Sequence, residues 1–146
     1  MNVKRALIGG TVGTVVMTFL MLTAPLVGMP RPAIGQMLST FLTISVGLFP
    51  LGATAGWIIH FLFGLVLALI YAGLVVTRVP GIPLIRGAIY GAFVFLFAQL
   101  VFMPLMGAGL FSSGDPLMIL GSFCGNVIYG SLLGVIYGAP APKPAA

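Results

Sequence analysis

ATAGWIIHFLFGLVLALIYAGLVV, residues 53–76, carries no charged side chain, and its only strongly polar groups are Thr54 and His60. At about 1.5 Å of rise per residue such a run crosses the ~30 Å hydrocarbon core of a bilayer as a helix. Backbone amides in hydrocarbon must be satisfied within the segment, and the run lacks the alternation of a barrel strand, so a helix is the form it can take. Three further stretches read the same way, and the expected spans are 6–27, 53–76, 87–106 and 117–138. The fold class is therefore an all-α membrane protein with four transmembrane helices. Composition agrees: the chain is 60% hydrophobic and has six basic residues and one acid, whereas soluble domains are about a quarter charged.

Scattered basic residues exclude a nucleic-acid surface, because Lys4, Arg5, Arg31, Arg78, Arg86 and Lys143 form no patch. They act instead as a topology signal. Five of them fall before the first span, in the loop between the second and third, or in the tail, which predicts both termini on the cytoplasmic side of a bacterial inner membrane. Trp57, Tyr71 and Tyr137 are expected at the bilayer interfaces. Lys4 and Arg5 before an apolar run resemble the start of a signal peptide. The run continues to a spanning length and Ala24 is followed by Pro25 where a small-residue cleavage site would stand, so a retained helix is expected. The single cysteine, Cys124, excludes an intrachain disulfide or a Cys-x-x-Cys motif.

Ser113-Gly114-Asp115-Pro116 reads as a helix start, with Asp115 as N-cap and Pro116 at the first helical position. Residues 33–49 place Gln36, Ser39 or Thr40, Thr43 and Gly47 on one helical face and Ile34, Met37, Leu38, Phe41, Ile44 and Leu48 over the rest. This segment can lie along the outer interface, re-enter or span. A fifth span would reverse the charge asymmetry, so an amphipathic non-spanning outer helix is expected. The Pro/Ala-rich tail, 139–146, is expected to be mobile.

An internal duplication is visible. Arg5-Ala6-Leu7-Ile8-Gly9-Gly10 resembles Arg86-Gly87-Ala88-Ile89-Tyr90-Gly91, and His60 through Tyr71 aligns without gaps on Asn126 through Tyr137, with four identities in twelve. The repeat unit is then a helical hairpin, and two hairpins are related by an axis along the membrane normal.

The duplication sets Thr18 and Gln99 thirteen residues past their arginines, and His60 and Asn126 eleven before their tyrosines. All four then share a depth roughly 16 to 20 Å from the inner boundary. Such a polar intramembrane layer either ties helices together or serves a ligand. His60, whose imidazole titrates near neutrality, is the candidate ligand or proton-exchanging group. A bis-histidine haem needs a second histidine that this chain lacks. Met17 and Met21, at i and i+4, with His60 are candidate soft ligands for Cu(I), although methionine also simply fills apolar interfaces. No cofactor is expected. Small residues at four-residue spacing, among them Gly9, Gly13, Gly64, Ala68, Gly130, Gly134 and Gly138, give each helix a close-packing face. One acid and one histidine supply no carboxylate pair or nucleophile arrangement, so no enzyme is expected.

The run from His60 through Gly64 and Ala68 to Tyr71, with the opening Arg5-Ala-Leu-Ile-Gly-Gly-Thr-Val-Gly-Thr14 and Met17-Thr18, resembles small uncharacterised four-helix bacterial membrane proteins. The resemblance implies the architecture and no activity. The leading expectation is a structural or accessory subunit, with the lipid bilayer and either other membrane subunits or further copies of itself as partners. A small oligomeric transporter and an electron-transfer component using His60 are the alternatives.

Overall fold

The computed structural model describes residues 1–30, 33–47 and 52–138. Helix α1, Val3–Thr23, starts at Asn2, whose side chain accepts a hydrogen bond from the Arg5 amide; a tight turn, Ala24–Val27, then stops at Gly28 with φ of 80°. Helix α2 is Ile34–Val46. Helix α3, Gly52–Ile70, continues as a π-helical stretch, Tyr71–Val75. Helix α4, Pro83–Phe97, continues through a second π stretch, Ala98–Phe102, into a last turn, Met103–Leu105. Helix α5 is Pro116–Tyr137; the Asp115 carboxylate accepts from the Leu117 and Met118 amides, with Pro116 in the first position.

Four of these helices, with their extensions, are long and apolar enough to cross a membrane: Val3–Val27, Gly52–Val75, Pro83–Leu105 and Pro116–Tyr137. The third starts four residues before the expected boundary because Pro83 needs no amide partner in the first turn. Large apolar side chains such as Leu7, Phe19, Leu62, Phe93, Leu100 and Val135 point outward, which suits contact with lipid. The first turns of α1 and α4 and the last turns of α3 and α5 meet at one end. There the Asn2 amide donates to the Tyr137 hydroxyl (3.0 Å), and the Tyr71 ring packs on those of Tyr90 (5.3 Å) and Tyr137 (5.9 Å).

Helices in lipid gain nothing hydrophobic by leaving lipid for one another, so contact rests on close backbone approach. The most extensive contact, between α4 and α5, is built that way. A Cβ added at Gly87 would strike the Gly130 carbonyl, one at Gly91 the Asn126 carbonyl, and one at Gly134 the Pro83 carbonyl. On α1, Gly10 faces Gly64 and Ala68 of α3, while Gly9 and Gly13 face Leu133 and Tyr129 of α5. By contrast α3 and α4 meet mainly through side chains: the tyrosine pair just described, Phe63 on Phe102 (5.2 Å), and the Tyr90 hydroxyl on the Leu67 carbonyl (2.7 Å). Gly138 belongs to no packing ridge; it ends α5 with φ of 82°.

Tyr71 and Tyr137 stand near converging helix ends with their rings buried in a core with Ala6, Ala68, Tyr90, Tyr129 and Leu133. Arg86 is not a loop residue. It is buried in the first turn of α4, where its Nε donates to the Val79 carbonyl (2.7 Å) and its Nη2 to the Gly81 carbonyl (2.6 Å), acceptors that the broken chain between α3 and α4 leaves without helical partners. Across 33–47 burial broadly follows the division into polar and apolar residues: Leu38 is buried, Ile34, Met37 and Phe41 are half-buried, and Gln36, Thr40 and Gly47 are exposed, with two exceptions. Ser39 is buried and Ile44 is 79% exposed, because α2 turns Gly35, Leu38 and Ser39 inward, Gly35 lying against Gly56 and Trp57 of α3. The thirteen residues of α2 reach about 20 Å, short of the ~30 Å core. The tail 139–146 and residues 48–51 lie outside the described residues.

Candidate functional site

The side-chain gap between α3 and α4 continues into a cavity of about 730 Å³ in the half of the bundle remote from the N-terminus. Helix α1 contributes Thr14, Met17 and Met21, α3 contributes His60, Phe63 and Leu67, α4 contributes Val94, Ala98, Phe102 and Met103, and α5 contributes Met118, Gly121, Asn126 and Tyr129. Ile34 and Leu38 of α2 touch it as well. Its rim includes the exposed side chains of Val66, Ile70 and Phe97, so the cavity opens sideways between helices. None of its described lining residues is Lys, Arg, Asp or Glu.

Local backbone features shape this wall. The π stretch Ala98–Phe102 widens α4 by part of a turn and sets Gln99 fully inward, with Ala98, Phe102 and Met103 on the cavity side. Such bulges occur often at functional sites. Between α4 and α5, Phe111, Ser112 and Ser113 take left-handed conformations with φ of 47°, 52° and 55°. Non-glycine residues adopt these at a cost of about 1–2 kcal/mol each. The turn brings Phe111 against Phe95 and lets the Ser112 hydroxyl donate to Gln99 Oε1 (3.1 Å) from the cavity wall.

The four residues of the polar layer make no hydrogen bond to one another among the described residues. The Asn126 amide donates to the carbonyl of Ser122 on its own helix (2.8 Å), and Gln99 bonds Ser112. Thr18 Oγ1, His60 Nε2 and Gln99 Nε2 are buried without a partner. Of the four, His60 and Asn126 line the cavity; Gln99 reaches it through Ser112, and Thr18 lies beside the lining residue Met17. The His60 ring stands nearly perpendicular to those of Trp57 (5.6 Å) and Phe61 (6.0 Å).

Met17, Met21 and His60, the candidate soft metal ligands, all face the same cavity, with Met29, Met103, Met106 and Met118. Among the described residues no three His, Cys, Asp or Glu side chains stand close enough to hold a metal ion. The cavity, Gln99–Ser112 and the buried Arg86 were not singled out from sequence.

No curated protein and no solved structure matches the chain. The model of one family, described as "Family of unknown function (DUF6789)", matches residues 1–146, the full length, and the chain belongs to that family.

Proposed function

We propose that this chain is a membrane-embedded binding protein for uncharged lipophilic molecules, not an enzyme, and that the bundle cavity is its site. The cavity carries this reading: about 730 Å³ falls within the ~300–1,000 Å³ of small-molecule sites, which are mostly apolar with few polar groups. Its sideways mouth suits a ligand that arrives from the bilayer, and the absence of charge among its described lining residues suits a neutral one.

The hairpin duplication supports the same reading. Under it the contact of Gly10 with Gly64 corresponds to that of Gly91 with Gly130. The α1–α5 contact, closed by Gly9 and Gly13, then corresponds to the α3–α4 contact, which stays open. The cavity is the opening left by that asymmetry. An accessory-subunit role rested on helix faces rich in small residues, and Gly87, Gly91, Gly130 and Gly134 are spent on contacts inside the chain. We place the protein in a bacterial inner membrane with its N-terminus cytoplasmic, on the strength of Lys4, Arg5, Arg78 and Arg86 at one end.

Filling the cavity tests the proposal. Gly121 lines it, and a Cβ there meets only Met29 Cε, at 3.7 Å, so Gly121→Leu should occupy ligand space without separating helices. Purified protein in mild detergent should bind a neutral fluorescent lipophile saturably, and Gly121→Leu should lose that binding while melting at or above the wild-type temperature. Equal binding by a well-folded variant would place the ligand elsewhere and refute the assignment.

A further inference from the structure

We infer that the molecule held in this cavity carries a flat, carbonyl-bearing head on a long apolar tail, as a quinone with an isoprenoid or alkyl chain does, and that His60 donates the hydrogen bond that holds the head. This rests on the cavity being a site for neutral lipophiles, and it goes beyond that by naming the ligand class and the recognising residue.

Most hydrogen-bonding groups on the wall are already committed within the chain. The Thr14 hydroxyl donates to the Gly10 carbonyl, that of Tyr129 to the Gly64 carbonyl and that of Ser112 to Gln99, while the Asn126 amide donates to the Ser122 carbonyl. Among the described residues His60 makes no such bond, and its Nε2 is buried without a partner. Its flanking contacts, Trp57 at 86° and Phe61 at 90° between ring planes, are with aromatic rings that offer no oxygen or nitrogen lone pair as a hydrogen-bond acceptor. The imidazole can therefore turn about Cβ–Cγ and present an N–H to the cavity when an acceptor arrives. A neutral imidazole has one N–H to give, and a carbonyl oxygen on an uncharged molecule is the acceptor that brings no charge among described lining residues that include no counter-ion.

The surroundings of His60 set the shape of the head. Phe63, one helical turn on, pairs with Phe102 (5.2 Å), which pairs with Phe97 (5.5 Å), and all three line the cavity. Such an aromatic corner favours a flat conjugated ring by offset or edge contact. Met17, Met21 and Met118 also line the wall, flexible thioether chains that adapt to an irregular tail.

Trp57 provides the measurement, since it is the only tryptophan in the chain and stands against His60. The full-length protein in mild detergent is titrated with a decyl-substituted benzoquinone and, separately, with bromododecane, a quencher with an apolar tail and no carbonyl. Quenching of Trp57 is corrected for that of a free tryptophan derivative in the same micelles. Both probes should quench saturably. His60→Leu should weaken the quinone about tenfold, the scale of one lost hydrogen bond, and leave bromododecane unchanged; His60→Gln, which keeps an N–H donor, should recover part of the loss. Decylbenzene should displace bromododecane from the wild type about tenfold less well than the quinone does, a comparison that needs no variant to fold. Equal quinone affinity in wild type and His60→Leu, or equal displacement by quinone and decylbenzene, would overturn the carbonyl assignment and leave the cavity reading standing. Absence of saturable quenching by either probe would bring down both.

Discussion

Two tyrosine hydroxyls cross between helices: that of Tyr129 on α5 reaches the Gly64 carbonyl on α3 at 2.5 Å, and that of Tyr90 on α4 reaches the Leu67 carbonyl at 2.7 Å. The first bond is buried, where a lost partner cannot be replaced by solvent, and the second is part-buried. Hydrogen bonds between membrane helices nevertheless average only about 0.6 kcal/mol, with a maximum near 1.7, because an unassembled helix also finds partners. Tyr129→Phe keeps the ring that meets Gly13 and removes only the hydroxyl, so it should lower stability by about 1 kcal/mol in a detergent denaturation titration. Tyr90→Phe should cost less, since its bond is only part-buried. A Tyr129→Phe protein as stable as the wild type would show that the 2.5 Å bond contributes nothing net. His60 was legible at this scale because a lone imidazole in an apolar run has few roles. The Ser112–Gln99 bond was not, because it depends on three non-glycine residues held at positive φ, a conformation that composition does not announce.

At the scale of elements, four-residue spacing of small residues indicates that a helix has a close-packing face but not how near the neighbour comes. Helix α5 contains both extremes. A Cβ on Gly130 would strike the Gly87 carbonyl and come within 2.7 Å of the Gly91 nitrogen, all backbone atoms that cannot rotate away, while a Cβ on Gly121 meets nothing nearer than 3.7 Å. Gly130→Ala should therefore force α4 and α5 apart and cost about 1–3 kcal/mol or more. Gly121→Ala should be neutral or stabilising by up to about 1 kcal/mol, as alanine favours helix over glycine. Thermal melting of the two variants in one detergent decides the matter: similar losses would mean that the spacing, and not the backbone contact, carries the ridge. The π stretches in α3 and α4 were invisible in the sequence for a related reason. Tyr71–Val75 and Ala98–Phe102 are ordinary apolar residues, and whether a helix there closes its hydrogen bonds over four residues or five is set by what its side chains must pack against.

For the whole molecule, hydropathy made the four long helices legible because lipid imposes one rule along the whole chain. The cavity was not legible, because it arises from the distance between two helices and not from the character of either. Which side of the membrane each end occupies rests on the basic residues. The Asn2–Tyr137 bond and the cluster of Tyr71, Tyr90 and Tyr137 already bring the start of α1, the turn between α3 and α4 and the end of α5 together, so one labelling pattern covers all three. Cys124 is exposed and is the only cysteine, and Cys124→Ser supplies a clean background. Single cysteines at Met1 and at Thr77, both exposed, should react with a membrane-impermeant maleimide only from the cytoplasmic side. One at the exposed Ser113 should react only from the opposite side. Between Met1 and Thr77 the chain contains α1, α2 and α3, and the prediction holds only if α2, at thirteen residues, does not cross. Labelling of Met1 and Thr77 from opposite sides would mean an odd number of crossings between them. That result would reverse the orientation of α4 and α5 relative to α1 and remove the parallel relation between the two hairpins.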